Sequence, residues 1–250
     1  MKTRSLILIG VASFLAFLIA SAPIATIHAR LASADTPLQL SGLSGSVFAG
    51  SADSFGYQGR ELAHPLNWRF DPLALITARL GYRVDGSVNG LLFDGKLART
   101  LGGDLRVSAM QASGSLKGLL ALSGDIQMPL DGDVGLKLDT LTIAERFPKQ
   151  ASADLSLVGL RWSLGPKPMQ LGDYAIAVVT EAGVIIGRVA PTAGPLDVGG
   201  ELRLNPDRSF EVDLRIKAKP EAEPAVQNLV RSLGQPDTEG YFRIKTRQQF

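Results

Sequence analysis

Residues Glu201–Lys217 read ELRLNPDRSFEVDLRIK, and their alternation decides the fold class. Leu202 and Leu204 alternate with Glu201 and Arg203. After the turn residues Asn205-Pro-Asp-Arg208, Val212, Leu214 and Ile216 alternate with Glu211, Asp213, Arg215 and Lys217. A period of two sends every second side chain to the same face of a strand, whereas a helix needs apolar residues three and four apart. The stretch therefore predicts a β-hairpin with one apolar face and one charged face in water.

The same grammar recurs along the chain. Tyr174–Val179 and Val184–Val189 flank Thr180-Glu-Ala-Gly183, a second predicted hairpin. Asp125–Met128 and Val134–Leu138 flank Pro129-Leu-Asp-Gly-Asp133, which reads as a turn. Glycines punctuate apolar runs at Gly42–Gly50, Gly86–Gly95 and Gly114–Gly124. Glycine inside a strand marks bulges or close backbone approach, and the spacing is too irregular for a repeat solenoid. Helix is predicted twice in this region. Asp71-Pro72 is an N-cap and first-turn proline, giving one turn over Pro72–Leu75. Val226, Leu229, Val230 and Leu233 form an amphipathic stripe over Ala225–Leu233, with Gly234 as C-cap and Pro236 beyond. A last strand is predicted over Tyr241–Thr246. The expectation is a mainly β protein, a curved and mostly antiparallel sheet with one short C-terminal helix.

Upstream lies a segment of another kind. Ser5–Ile27, SLILIGVASFLAFLIASAPIATI, holds no charged residue. A helix of about 20 residues crosses a hydrocarbon core of ~30 Å, so the stretch is long enough to span. Lys2 and Arg4 precede it, and flanking positive charge stays on the cytoplasmic side. The organisation predicted is a cytoplasmic tail over 1–4, a transmembrane helix over 5–27, a linker over 28–37 and an exported β-rich domain over 38–250. A signal peptide has a shorter apolar region before its small-residue cleavage site. Ala32-Ser-Ala34 has that pattern but lies beyond His28 and Arg30, late for cleavage. No second span is read: Tyr174–Val189 is broken by Glu181, Gly183 and Arg188.

Composition narrows the function classes. Net charge is +2, from 26 basic and 24 acidic residues, which lacks the basic excess of a nucleic-acid binder. Cysteine is absent, so neither disulfides nor thiolate chemistry are available in an oxidising compartment.

Catalytic patterns fail one by one. The two histidines, His28 and His64, cannot build a histidine zinc cage. Gly42-Leu-Ser44-Gly-Ser46 has serine where a nucleophile elbow needs its second glycine. Gly90-Leu-Leu-Phe-Asp-Gly95-Lys96 follows a phosphate loop up to the lysine, but Leu97 replaces the magnesium-binding Ser or Thr. Asp131-Gly-Asp133 lacks the further oxygen ligands of a calcium loop. Trp68 and Trp162 stand in apolar alternations, Leu66-Asn-Trp-Arg-Phe70 and Leu160-Arg-Trp-Ser-Leu164, which predicts packing rather than ligand stacking. Arg69 and Arg161 fall on the opposite face. No catalytic, cofactor-binding or metal-binding residue is nominated, and the reading is not an enzyme and has no cofactor.

Several motifs, in order, resemble a known family. They are the basic tail and anchor, Leu43-Ser-Gly45 and Phe48-Ala-Gly50, Leu66-Asn-Trp68-Arg-Phe70-Asp-Pro72-Leu-Ala-Leu75, Leu160-Arg-Trp162-Ser-Leu164, and Leu229-Val-Arg-Ser-Leu233-Gly234-Gln-Pro236-Asp237-Thr-Glu-Gly240. Across essentially the whole chain this resembles protein N of the bacterial type II secretion system. The resemblance implies an accessory component of the general secretion pathway in a Gram-negative inner membrane. Its main domain would lie in the periplasm, its partners would be other secretion subunits and membrane lipid, and it would have no catalytic residues. Free strand edges suit partner binding by strand addition. The alternative is a lipid-binding or lipid-bridging groove protein of the AsmA-like kind, since a curved sheet with one apolar face fits that too. A periplasmic hydrolase is the third reading, for which no residue can be named.

Overall fold

The computed structural model describes residues 38–57, 60–122, 128–164 and 167–249. The predicted tail, transmembrane helix and linker, with the Ala34 site, lie outside them. Among the described residues no helix is long and apolar enough to cross a membrane.

The described chain is one antiparallel sheet of fifteen strands. Four short strands, β1 (Leu38–Ser41), β2 (Ser44–Gly45), β3 (Ala49–Ala52) and β4 (Ser54–Tyr57), gather around β5 (Arg60–Asp71). The first half of β5 pairs with β4 and the second half with β3. From there the sheet is a meander in chain order: β6 (Arg79–Val88), β7 (Leu91–Thr100), β8 (Leu105–Ser115), β9 (Leu130–Ala144), β10 (Phe147–Trp162), β11 (Met169–Glu181), β12 (Val184–Ala193), β13 (Leu196–Leu204), β14 (Ser209–Ala218) and β15 (Phe242–Gln249). The first and last strands do not meet, so the sheet is open.

Register turns local alternation into two continuous faces. Trp68 lies opposite Val84, Tyr82 opposite Leu97, and Leu97 opposite Val107. Further on Leu136 faces Leu155, Leu155 faces Ile176, and Ile176 faces Val189. Leu202 faces Val212, and Ile216 faces Phe242. The opposite face carries Arg83, Asp85, Asp94, Lys137, Asp154 and the charges of β12–β15. Leu92, Val179 and Ile186 are apolar exceptions on it. A bulge opposite Asp94–Lys96, with Ala109 at φ 48°, lets β8 keep both Met110 and Val107 on the apolar side.

Among the described residues three helical pieces join the strands. Pro72–Thr77 is a 3₁₀ turn capped by Asp71, whose Oδ1 accepts the Leu73 N–H at 3.1 Å; it is longer than the single turn expected. α1 (Leu116–Leu122) corrects the reading of Gly114–Gly124 as a glycine-punctuated strand. Leu116-Lys-Gly-Leu-Leu-Ala-Leu122 is rich in strong helix formers, and Gly118 lets the helix sit against the Asn89 carbonyl, where a Cβ would come within 2.2 Å. α2 (Pro224–Arg231) is the expected amphipathic helix; Ser232 rather than Gly234 caps it.

A second correction concerns Pro129–Asp133. It is not a turn: Leu130–Asp133 is the start of β9, paired with the end of β10. Gly132 at φ 149° takes up a register shift opposite Val158–Arg161, so turn-type residues here make a bulge. The hairpin turns at Ala182-Gly183 and Asn205–Arg208 lie where the alternation puts them.

The core is thin. α2 covers the apolar face of β11–β15, where Val226 (1% exposed) and Val230 (3%) pack among Leu171, Tyr174, Leu196, Val198 and Phe242. A separate cluster of Val107, Leu138 and Ala153 lies in the middle of the sheet. Its neighbours Leu97, Met110, Leu136, Leu141 and Val178 are only half-buried.

Candidate functional site

The residues weighed for chemistry in the sequence make structural contacts. His64 is exposed in β5, its Nδ1 3.0 Å from the Asp53 carbonyl oxygen. The Ser44 hydroxyl is hydrogen-bonded to that of Ser51 across β2–β3 at 2.7 Å. The phosphate-loop look-alike is the Asn89-Gly90 hairpin turn followed by β7, with Lys96 3.9 Å from Asp71. Asp131 is engaged by the chain's own cations: Arg161 donates to its Oδ2 from Nη2 at 2.8 Å and from Nε at 3.2 Å, and Lys117 lies 3.4 Å away. The hydrogen bond from Arg161 holds the Asp131 carboxyl below the usual carboxylate range. Asp133 is exposed on the polar face. Among the described residues no three His, Cys, Asp or Glu side chains are grouped to hold a metal.

Both tryptophans pack as expected. Trp68 is half-buried, and its indole N–H donates to the Ser46 carbonyl at 3.1 Å. A Cβ on Gly50 would lie 2.6 Å from the Trp68 ring, so this corner closes only around glycine. Trp162 packs against the cluster beneath α2.

What the register assembles instead is a charge lattice on the polar face of β12–β15. Arg188 bridges Glu181 at 2.7 Å and Glu201 at 3.3 Å. Arg203 binds Glu201 at 2.6 Å. Arg243 forms a two-pronged pair with Asp213, at 2.8 and 2.6 Å. Arg247 reaches Asp207 at 3.1 Å and Glu211 at 3.3 Å. Each donor favours the ionised acid: Arg203 draws Glu201 down, and Arg243 draws Asp213 down. Asp207 is lowered first by the Ser209 hydroxyl, then by its backbone N–H. Glu201, Arg203, Glu211, Asp213, Arg243 and Arg247 line a groove of about 820 Å³. A second shallow groove, about 920 Å³, crosses the polar face of β6–β10 past Asp85, Asp94, Gln111, Lys137 and Asp154.

β15 ends the lattice. It pairs with β14 on one side, and among the described residues no strand pairs with the other. Arg243, Lys245 and Arg247 fall on its polar face, Phe242 and Ile244 on its apolar face. Alternation shows this two-sidedness in sequence. The edge itself is a matter of sheet order, which local sequence does not carry.

Chemically, then, the molecule offers surfaces: a half-exposed apolar face, a charged face and an open edge. The sequence matches the family described as type II secretion system (T2SS), protein N, over residues 36–245. It is 21% identical over 239 residues to the type II secretion system protein N of Aeromonas hydrophila, covering 93% of each chain. No solved structure matches it. The chain belongs to the type II secretion system protein N family.

Proposed function

We propose that this member of the protein N family is an accessory inner-membrane component of the type II secretion apparatus. It contributes through protein–protein contacts to the export of folded proteins from the periplasm across the outer membrane. In this reading the N-terminus is cytoplasmic, Ser5–Ile27 spans the membrane, and the sheet stands in the periplasm of a Gram-negative cell. The observation that carries it is the extent of the family match, which takes in nearly the whole open sheet. The uncharged segment Ser5–Ile27 behind Lys2 and Arg4 supports the topology. Extended faces and an open sheet edge suit an assembly part.

A second reading, binding or bridging of lipid on the apolar face, is favoured by one observation. Leu97, Leu136, Leu155, Ile176 and Ile185 are half-buried on a face that α2 covers at one end only. One experiment separates the two: crosslink the protein in its host, extract it in mild detergent, and identify bound protein and lipid by mass spectrometry. Covalent adducts with secretion subunits are expected. Stoichiometric phospholipid without any secretion subunit would overturn the assembly role in favour of lipid binding.

A further inference from the structure

We infer that the outer edge of β15 receives an extended strand from a partner protein, carrying acidic side chains at alternate positions on one face and apolar ones on the other. The inference rests on the assembly reading and names the class of partner segment.

A sheet edge presents a row of unpaired backbone groups. In an antiparallel ladder about half of the residues of an edge strand point their N–H and C=O outward. Over the eight residues Phe242–Gln249 that is a template for about four backbone couples. Side chains decide what that template accepts. Across the polar face β13 offers Glu201 and Arg203, β14 offers Glu211, Asp213 and Arg215, and β15 offers Arg243, Lys245 and Arg247. Arg243 and Arg247 lean back onto β14 acids, yet both side chains are 62% exposed. Lys245 lies opposite Asp213 and, after Arg243, helps to hold that carboxyl down, but makes no direct ion pair among the described residues. The lattice thus ends on three cations in a row, and the strand that would continue it is acidic.

The same cations exclude the obvious alternatives. Two β15 strands from two copies would place Arg243, Lys245 and Arg247 against their like, and like charges opposite one another are destabilising. The strand at the other end of the sheet, β1, reads Leu38-Gln-Leu-Ser41 and holds no acid to meet them. A second copy therefore fits neither way. On the apolar side Ile244 is half-buried beside Leu214, and the incoming strand continues that face with apolar residues.

The test uses the full chain in detergent micelles and three labelled peptides. One alternates Glu and Val, one alternates Lys and Val, and one is the Glu–Val peptide N-methylated at every residue, which blocks both edges. The methylated peptide keeps its charge but cannot join a ladder. The Glu–Val peptide is expected to bind by fluorescence anisotropy, to slow hydrogen exchange in residues 243–249, and to weaken in salt. Lys245→Gln, which leaves the direct Arg243–Asp213 pair in place, is expected to weaken it about threefold and to move the thermal midpoint little. Equal binding of the Lys–Val or methylated peptide, or binding without protection of β15, overturns the inference. If in-host crosslinks to secretion subunits form while β15 stays unprotected, the assembly reading stands and the edge assignment falls.

Discussion

Replacing Val226 by alanine tests whether α2 is the clasp of one end of the sheet. Val226 is 1% exposed and sits among Tyr174, Leu196, Val198 and Phe242. The substitution deletes two methyl-sized groups, about 1.6 kcal/mol at ~0.8 kcal/mol each. A residual cavity of about 40 Å³, at ~24 cal/mol per Å³, adds about 1 kcal/mol. The expected loss is therefore about 2–3 kcal/mol. Its location matters as much as its size. Most of the sheet is a meander in which strands pair only with their sequence neighbours, and the cluster beneath α2 shares no buried residue with that of Val107, Leu138 and Ala153. Such a quasi-one-dimensional array opens in parts. Hydrogen exchange by mass spectrometry on the full chain should accelerate by about 60-fold in α2 and β13–β15, with β6–β9 unchanged. Asn228→Ala, exposed on the same helix, should change stability by under about 0.5 kcal/mol. Uniform acceleration across the sheet, or none in α2, would refute the reasoning.

Three further outcomes follow from named contacts. Gly50→Ala must push its Cβ into the Trp68 ring and the Ser44 carbonyl, 2.6 and 2.5 Å away; a loss of about 1–3 kcal/mol and a shifted tryptophan emission are expected, and an unchanged urea midpoint would contradict the packing. Asp131, Glu201, Asp207 and Asp213 have folded-state pKa values below their unfolded ones. Their stabilisation is complete above the unfolded carboxylate range and is lost as pH falls through the lowered values, so the thermal midpoint should hold from pH 7 to about 5 and drop below about 4. Burial raises the Tyr174 phenol to about 12, so its contribution is complete below about 10 and is lost between about 10 and about 12; absorbance of the phenolate in Tyr174→Phe against the parent chain checks this.

Alternation was the most legible signal. Glu201–Ile216 and Tyr174–Val189 became hairpins where expected, because each strand has one face in water and one against neighbours. Helix against strand was harder. Leu116–Leu122 is too short and too evenly apolar for its period to show. Pro129–Asp133 carries turn chemistry, yet long-range pairing with β10 overrides it. The rejected motifs could be dismissed by single residues, Leu97 and Ser46 among them. Their true partners could not be foreseen: Arg161 meets Asp131 thirty residues away, and only the register of β9 on β10 brings them together.

The single layer itself carries a functional consequence. A β-sandwich buries its inner face under a second sheet; here much of the apolar face has no second layer among the described residues. Fully burying a leucine is worth about 1.5–3 kcal/mol, so completing the burial of one half-buried residue such as Leu136 or Leu155 yields about 1 kcal/mol. Association itself costs at least ~4 kcal/mol in lost freedom of motion. A partner touching only two or three such residues would not stay bound. Stable occupation needs an apolar body crossing many strands, or a strand added at β15 that brings backbone hydrogen bonds as well as apolar contact. Edge and face meet at Ile244 and Leu214, both half-buried and beyond the Phe242–Ile216 pair that α2 covers, so one extended partner segment can use both there.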